Sequence, residues 1–344
     1  MSLIQAAVID QPGGTITLTR IPEPAVTPGQ ILVRSAHVGI CGSDVSLLKG
    51  TRPASFSRYP VTPGHEWSGV VEAVGAGVEG VTVGDRIACR SMWWCGVCGR
   101  CREGRPQLCR EGYREVGFTM AGGLAELVTI EARQAVVLPP EIPLLDAALL
   151  EPTAVMTHAL LRLPQLLGRR VTIIGDGTLG LLGVQLARLA GASRVSLIGL
   201  DEHRLRLGRQ FGADETADAS AGSPTEVGRG ADVVLDCAGA VGTLEQAIGL
   251  CATGGTVAVV GVVGGAARAE IPADIFVVED ITVTGVLAST SASWDLAMRL
   301  AGSGRLDLAS LVTHRFPTAA VVQAFAQAAA PEPGQVKIII DHEK

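Results

Sequence analysis

The sequence predicts an α/β protein in two parts, a β-rich part and a doubly wound parallel sheet. Three observations carry that expectation. The first 150 residues break into short apolar runs separated by Pro and Gly turns. From Thr153 onward, apolar strands alternate with amphipathic helices, a pattern that calls for parallel pairing. A glycine-rich turn, GDGTLG at residues 175–180, lies between the first of those strands and the helix that follows it.

In the first part, ILVRSAHVGI, GVVEAV, DRIACR and LVTI read as strands. VEAVGAGVEGVTVGDRI reads as strand, turn, strand, its glycines supplying the positive φ that turns need. Apolar residues recur at helical spacing from Thr153 to Leu167. Then VTIIG reads as a buried strand and LGLLGVQLARLA as a helix. RVSLIG (strand), DEHRLRLGRQFGA (helix), ADVVLDCAG (strand) and TLEQAIGLCA (helix) follow, and GTVAVVGV and ITVTGVLA close the sheet as strands. After Ala288 the pattern loosens into helices at Trp294–Ala301 and Thr318–Ala329 and a last strand, VKIIID. This tail is too short to be a domain and is expected to fold back onto the first part. The predicted domains are therefore 1–152 with 289–344, and 153–288.

The 344 residues suit two domains, and 47% hydrophobic with 18% charged residues supports a large core and excludes a disordered chain. The balance of 28 basic and 34 acidic residues, −6, argues against a nucleic-acid surface. The stretch Gln246–Ala267 is uncharged and long enough to span a bilayer. Its glycines and its β-branched run, TVAVVGVV, fit a buried strand between turns better than a membrane helix. No secretory leader is evident, so a soluble, cytoplasmic protein is expected.

Four of the 8 cysteines, Cys95, Cys98, Cys101 and Cys109, fall close together with C-x2-C-x2-C spacing. In a chain of this kind that spacing reads as a closed structural zinc site, with a cluster of redox-active thiols as the alternative. In GDGTLG, Gly175 allows the tight turn, Gly177 lets a pyrophosphate approach the backbone and Gly180 permits close helix–strand packing. The helix N-terminus at Thr178 and Leu179 faces the anion. An ordinary strand–helix turn is the alternative. A third set is dispersed: Cys41 in CGSD, His65 and Glu66 in GHE, and Glu151 in LEPTAV. A thiolate, an imidazole and carboxylates can bind zinc with one position left open. Taken singly, Cys41 reads as a small core residue and the His-Glu pair as surface, and spacing alone does not bring them together.

Together these motifs resemble the zinc-dependent medium-chain alcohol and polyol dehydrogenases over essentially the whole chain. GHEWSGVVEAVGAGV, CGSD, the four-cysteine lobe, VGDRI, the Glu-Pro before the linking helix and the glycine-rich unit occur in the family's order. The pairing of Glu66 with Glu151 is similar to the sorbitol and threonine branch. PGHEWSG, CGSDVS and GFTMAGG are similar to aminocyclitol dehydrogenases of the 2-deoxy-scyllo-inosamine type. The resemblance implies a GroES-like catalytic domain, a Rossmann NAD(P) domain and two Zn2+ per chain. It implies Cys41 and His65 as ligands of the catalytic zinc, with Glu66 and Glu151 sharing its remaining sites as ligand or water partner. Asp44 would orient His65, and Ser43 would take the substrate's hydroxyl proton. One departure is Ser46, where many members carry a His that relays this proton. Serine passes a proton along a hydrogen-bond chain but is no base near neutral pH.

The implied activity is hydride transfer between a secondary alcohol (polyol, cyclitol or amino alcohol) and NAD or NADP, in a homodimer or homotetramer. The partner is a small molecule, with no nucleic acid or membrane involved. A catalytically silent nucleotide binder or redox sensor on the same fold is the alternative. Among cofactor-binding positions, Gly199, Arg204 and Val260 join the glycine turn. Alignment of the following helix puts Gly199 where NAD-preferring relatives carry an acid, while a two-residue gap puts Asp201 there. Relaxed specificity between NAD and NADP is the resulting expectation, with Gly199→Asp shifting preference toward NAD.

Overall fold

The computed structural model describes residues 2–221, 226–264 and 267–342. The chain divides into two compact units, Met1–Glu151 with Leu308–Glu332 and Lys337–Lys344, and Pro152–Asp307 with Pro333–Val336. The tail is thus partitioned differently from the sequence expectation, since residues 289–307 cluster with the second unit. Hydrogen bonds explain why. The Thr157 hydroxyl donates to the Ser293 carbonyl at 2.8 Å, and the Gln185 amide exchanges two hydrogen bonds with the Asp307 backbone at 2.8 and 3.1 Å.

The first unit is built on a seven-stranded sheet. Its long central strand, Gln30–Ile40, pairs antiparallel with Glu66–Val74, with Lys337–Asp341 and with Leu127–Glu131. Buried Ile31, Val33, Val38, Trp67, Val71, Ile338 and Ile340 belong to one core cluster. A hairpin of Leu3–Ile9 with Ile16–Pro22 forms a separate two-stranded sheet. Where the central strand ends, Cys41 caps the helix Gly42–Leu48.

The second unit holds a six-stranded parallel sheet. In spatial order the strands are Glu215–Asp218, Arg194–Gly199, Arg170–Ile174, Ala231–Asp236, Cys251–Val259 and Thr282–Gly285. Chain order reverses between Arg170–Ile174 and Ala231–Asp236, and that switch point is where doubly wound sheets take ligands. Glu215–Asp218 escapes the sequence reading because a polar ETAD edge strand has no apolar run to announce it. The linking helix runs Leu150–Arg162 rather than 153–167. Pro164 supplies no N–H and drives Leu163 out of helical φ/ψ, which ends the helix early. At its start Glu151 lies in the first turn, where the helix dipole favours a carboxylate. Of the uncharged stretch, Gly265 and Ala266 lie outside the described residues. Among the described residues no helix is long and apolar enough to cross a membrane.

Candidate active site

Strand register assembles the first cluster. Gly39 sits opposite Glu66, and Ile40 opposite Ile338, so the ends of three neighbouring strands converge. Cys41 follows the central strand, His65 and Glu66 open the second and Lys337 opens the third. Gly39 is required here, because a Cβ at that position would lie 2.5 Å from Glu66 Oε2. Gly64 is required for a second reason. Its φ is +100°, and a Cβ there would meet Val38 Cγ1 at 2.7 Å.

One ligand atom each from Cys41, His65 and Glu66 lies within 4.8 Å of the others, with His65 and Glu66 buried. Sulfur, imidazole nitrogen and carboxylate oxygen at that spacing, inside the protein, fit a zinc ion. Asp44 Oδ2 lies 3.4 Å from His65 Nδ1, close enough for an ion pair but too poorly aligned for a hydrogen bond, so Nδ1 is a buried nitrogen lacking a hydrogen-bond partner. The Asp44 carboxylate is fixed instead by the Cys41 N–H at 2.9 Å. Burial opposes ionisation of Asp44, yet His65 and that N–H hold it below the usual carboxylate range. Burial likewise opposes a charge on His65, but Asp44 and Cys41 raise it well above the usual imidazole value. A cation at this site would displace that proton, so metal affinity should fall as pH falls.

Glu151 is buried but stands outside the 4.8 Å group. Burial pushes its carboxyl up to about 8, and the neighbouring Glu66 adds to the rise against the pull of His65. Ser43 is half-buried in the helix after Cys41. The Ser46 hydroxyl donates to the Gly42 carbonyl at 3.1 Å. The Phe118 ring lies 4.7 Å from that of His65.

Sequence reasoning missed Lys337. Its ammonium is buried, donates to Glu66 Oε2 at 2.6 Å and reaches the Ile40 carbonyl at 3.3 Å. Burial alone would lower its pKa, but Glu66 raises it, so Lys337 is a buried cation beside the three ligand atoms.

In the cysteine lobe the four sulfurs also lie within 4.8 Å of one another, and every cysteine is free of disulfide. The Sγ separations of Cys95–Cys101 and Cys98–Cys101 are 3.9 and 3.5 Å. Tetrahedral zinc with bonds of about 2.3 Å would put its sulfurs about 3.8 Å apart. Backbone N–H groups of Arg110 and Cys101 bring Cys98 down to about 6, favouring the thiolate, while burial raises Cys101 to about 12. One cation shared by four thiolates offsets that cost.

In the second unit, Gly175 has φ +107°, and a Cβ on it would meet the Ala238 backbone at 2.8 Å. A Cβ on Gly180 would fall 1.7 Å from the Gly175 carbonyl. Gly177 caps the helix Thr178–Leu189 and has open space beside it, as a backbone that receives a ligand requires. Thr178 and Leu179 open that helix, and the Thr178 hydroxyl donates to the Val336 carbonyl at 3.4 Å. Val260 is buried just past the strand Cys251–Val259, its N–H bonded to the Asp236 carbonyl. Gly199 ends the strand Arg194–Gly199. In the gapped alternative the acid would be Asp201, whose carboxylate caps the next helix. It accepts from the Arg204 N–H at 3.0 Å, capping the helix Glu202–Gln210, and from the Gly334 N–H at 2.8 Å.

Two family models match the chain, the alcohol dehydrogenase GroES-like domain over residues 27–140 and zinc-binding dehydrogenase over residues 178–303. A sorbitol dehydrogenase of Arabidopsis thaliana is 35% identical over 304 residues, covering 85% of this chain and 83% of that protein. An L-threonine 3-dehydrogenase of Saccharopolyspora erythraea is 32% identical across 98% of this chain and 99% of its own. Among solved structures, a zinc-binding dehydrogenase of Sinorhizobium meliloti 1021 bound to NADP superposes with a TM-score of 0.92 at 32% identity, covering 99% of this chain and 100% of that one.

Proposed function

The chain belongs to the zinc-dependent medium-chain dehydrogenase family, and from that premise we propose that it oxidises a secondary alcohol within a polyol, cyclitol or amino alcohol, reversibly, with NAD(P). The observation that carries this reading is the grouping of Cys41 with the buried His65 and Glu66. When bound, zinc supplies a Lewis acid for the alcohol oxygen, and the nicotinamide accepts the hydride. Cys41, His65 and Glu66 would hold the ion, with Glu151 as the alternative carboxylate to Glu66 or as a water partner, so that one position stays open. Asp44, with Oδ2 3.4 Å from Nδ1, steadies the His65 ring by its charge. Ser43, two residues after Cys41, accepts a hydrogen bond from the substrate hydroxyl and hands its own proton onward toward solvent, so it relays the proton and does not keep it. Ser46, whose hydroxyl donates to the Gly42 carbonyl, takes no part as a base, since serine does not take up a proton near neutral pH. Cys95, Cys98, Cys101 and Cys109 hold a second, structural zinc with no open position. The glycine turn at Gly175, Gly177 and Gly180, with Thr178, Leu179, Gly199, Arg204 and Val260, forms the dinucleotide site.

A screen of polyols, cyclitols, amino alcohols and simple secondary alcohols with NAD and NADP, followed by absorbance of the reduced nicotinamide, tests the reading. Turnover confined to hydroxyl-rich substrates is expected. No turnover on any alcohol, with both zincs bound, would favour a silent nucleotide binder.

The same reading includes a homo-oligomer. Thr282–Gly285 is the edge strand of the parallel sheet, and the unit leaves Val277, Val278, Val283 and Leu287 exposed. Monomers seldom leave such an edge bare. Light scattering at micromolar concentration should report at least twice the 35.5 kDa chain mass. A single 35.5 kDa species would refute pairing.

A further inference from the structure

The adenosine end of a dinucleotide in this fold is read at the end of the second strand, where an acid accepts from the ribose hydroxyls. Here that position is Gly199, which offers no side chain. The space is nevertheless filled. A Cβ built on Gly199 would lie 2.5 Å from Cβ, Cγ and Oδ2 of Asp176, so the Asp176 carboxyl occupies the volume in which an acid at 199 would begin. Asp176 is the residue between Gly175 and Gly177 of the glycine-rich turn, and it is buried. Its Oδ2 accepts from the N–H groups of Leu200 and Asp201, both at 2.8 Å, which pins it over the strand end. Its Oδ1 lies 3.5 Å from Arg204 Nη1 and is given no backbone N–H, unlike Oδ2.

We propose that Asp176, supplied from the glycine-rich turn, is the acid that reads the adenosine ribose in this chain, and that it makes the dinucleotide site prefer NAD(H) over NADP(H). The inference rests on the dinucleotide reading above and deepens it. The carboxylate can accept from a ribose 2′-hydroxyl but meets a 2′-phosphate with like charge. The nearby cation does not reverse this, because the Arg204 guanidinium is already opposed by Asp176. Asp201 adds a second carboxylate at the same corner. The near-equal use of NAD and NADP expected from the sequence gives way to this preference. Gly199→Asp ceases to be an informative test, since the new side chain would collide with Asp176.

The test is direct binding of NADH and NADPH to the full zinc-loaded chain by fluorescence titration. The wild type should bind NADH at least about tenfold more tightly than NADPH, because the carboxylates of Asp176 and Asp201 together outweigh the one guanidinium of Arg204. Asp176→Asn keeps an acceptor for the Leu200 and Asp201 N–H groups and removes the charge. It should tighten NADPH binding and close most of the gap. Gly199→Ala, which pushes a methyl group against the Asp176 carboxyl, should also narrow the gap and serves if Asp176→Asn folds poorly. Equal affinities in the wild type, or equal weakening of both nucleotides by Asp176→Asn, would overturn the proposal and leave the dinucleotide site standing. Failure of both nucleotides to bind the wild type would remove the site and this inference with it.

Discussion

Cys41→Ala and His65→Ala should each lower kcat/KM by about a thousandfold or more, because a metal's stabilisation of developing charge is worth several kcal/mol. Each variant removes one of three ligand atoms within 4.8 Å of one another, and both residues belong to the first unit while the glycine turn belongs to the second. NADH affinity should therefore stay within about twofold of wild type while turnover disappears. Mild chelation should copy the variants. The three-residue site with an open position loses its ion before the closed four-sulfur lobe does, so activity should vanish while far-UV circular dichroism stays unchanged. Near-normal turnover in either variant would show that the metal is held elsewhere. Simultaneous loss of fold and activity on chelation would show that the two sites are not separate in role.

The parallel sheet was legible because its strands are nearly all apolar and its helices amphipathic. VTIIG, RVSLIG and ADVVLDCAG fall on Arg170–Ile174, Arg194–Gly199 and Ala231–Asp236. The cysteine lobe was legible because its ligands are close in sequence. Cys41 with His65 and Glu66 was legible only through resemblance, since what joins them is register between the strands Gln30–Ile40 and Glu66–Val74. Lys337 and Asp176 were not legible at all. In VKIIID a leading lysine reads as a solvated strand end, and nothing local reveals that its stem enters beside the Gly39–Glu66 pair. In GDGTLG the aspartate occupies a position that the motif leaves free. Its meaning depends on the missing side chain at Gly199, on another strand. In both cases a glycine creates the space and a distant charged side chain fills it, a relation that a linear pattern does not carry.

Lys337→Met should destabilise the metal-depleted protein by about 3 kcal/mol or more, the usual cost of leaving one partner of a buried ion pair alone. The two side chains are only 3% and 2% exposed, so water cannot take over from the lost ammonium. Glu66 would then face Asp44 and Glu151 with His65 as the nearby titratable cation, and the repulsion that already raises Glu151 would grow. In the zinc-loaded protein the loss should be clearly smaller, because the ion's charge is available to Glu66. Thermal unfolding of wild type and variant, each with and without zinc, measures the difference. Glu66→Gln in the Lys337→Met background should recover much of the stability of the metal-depleted protein, since it removes the stranded charge and keeps the side-chain shape. The methionine approximates the lysine stem, so packing changes little and the charge is the variable that differs. Equal losses with and without zinc, or no recovery on adding Glu66→Gln, would mean that Lys337 serves the core by its bulk and not Glu66 by its charge.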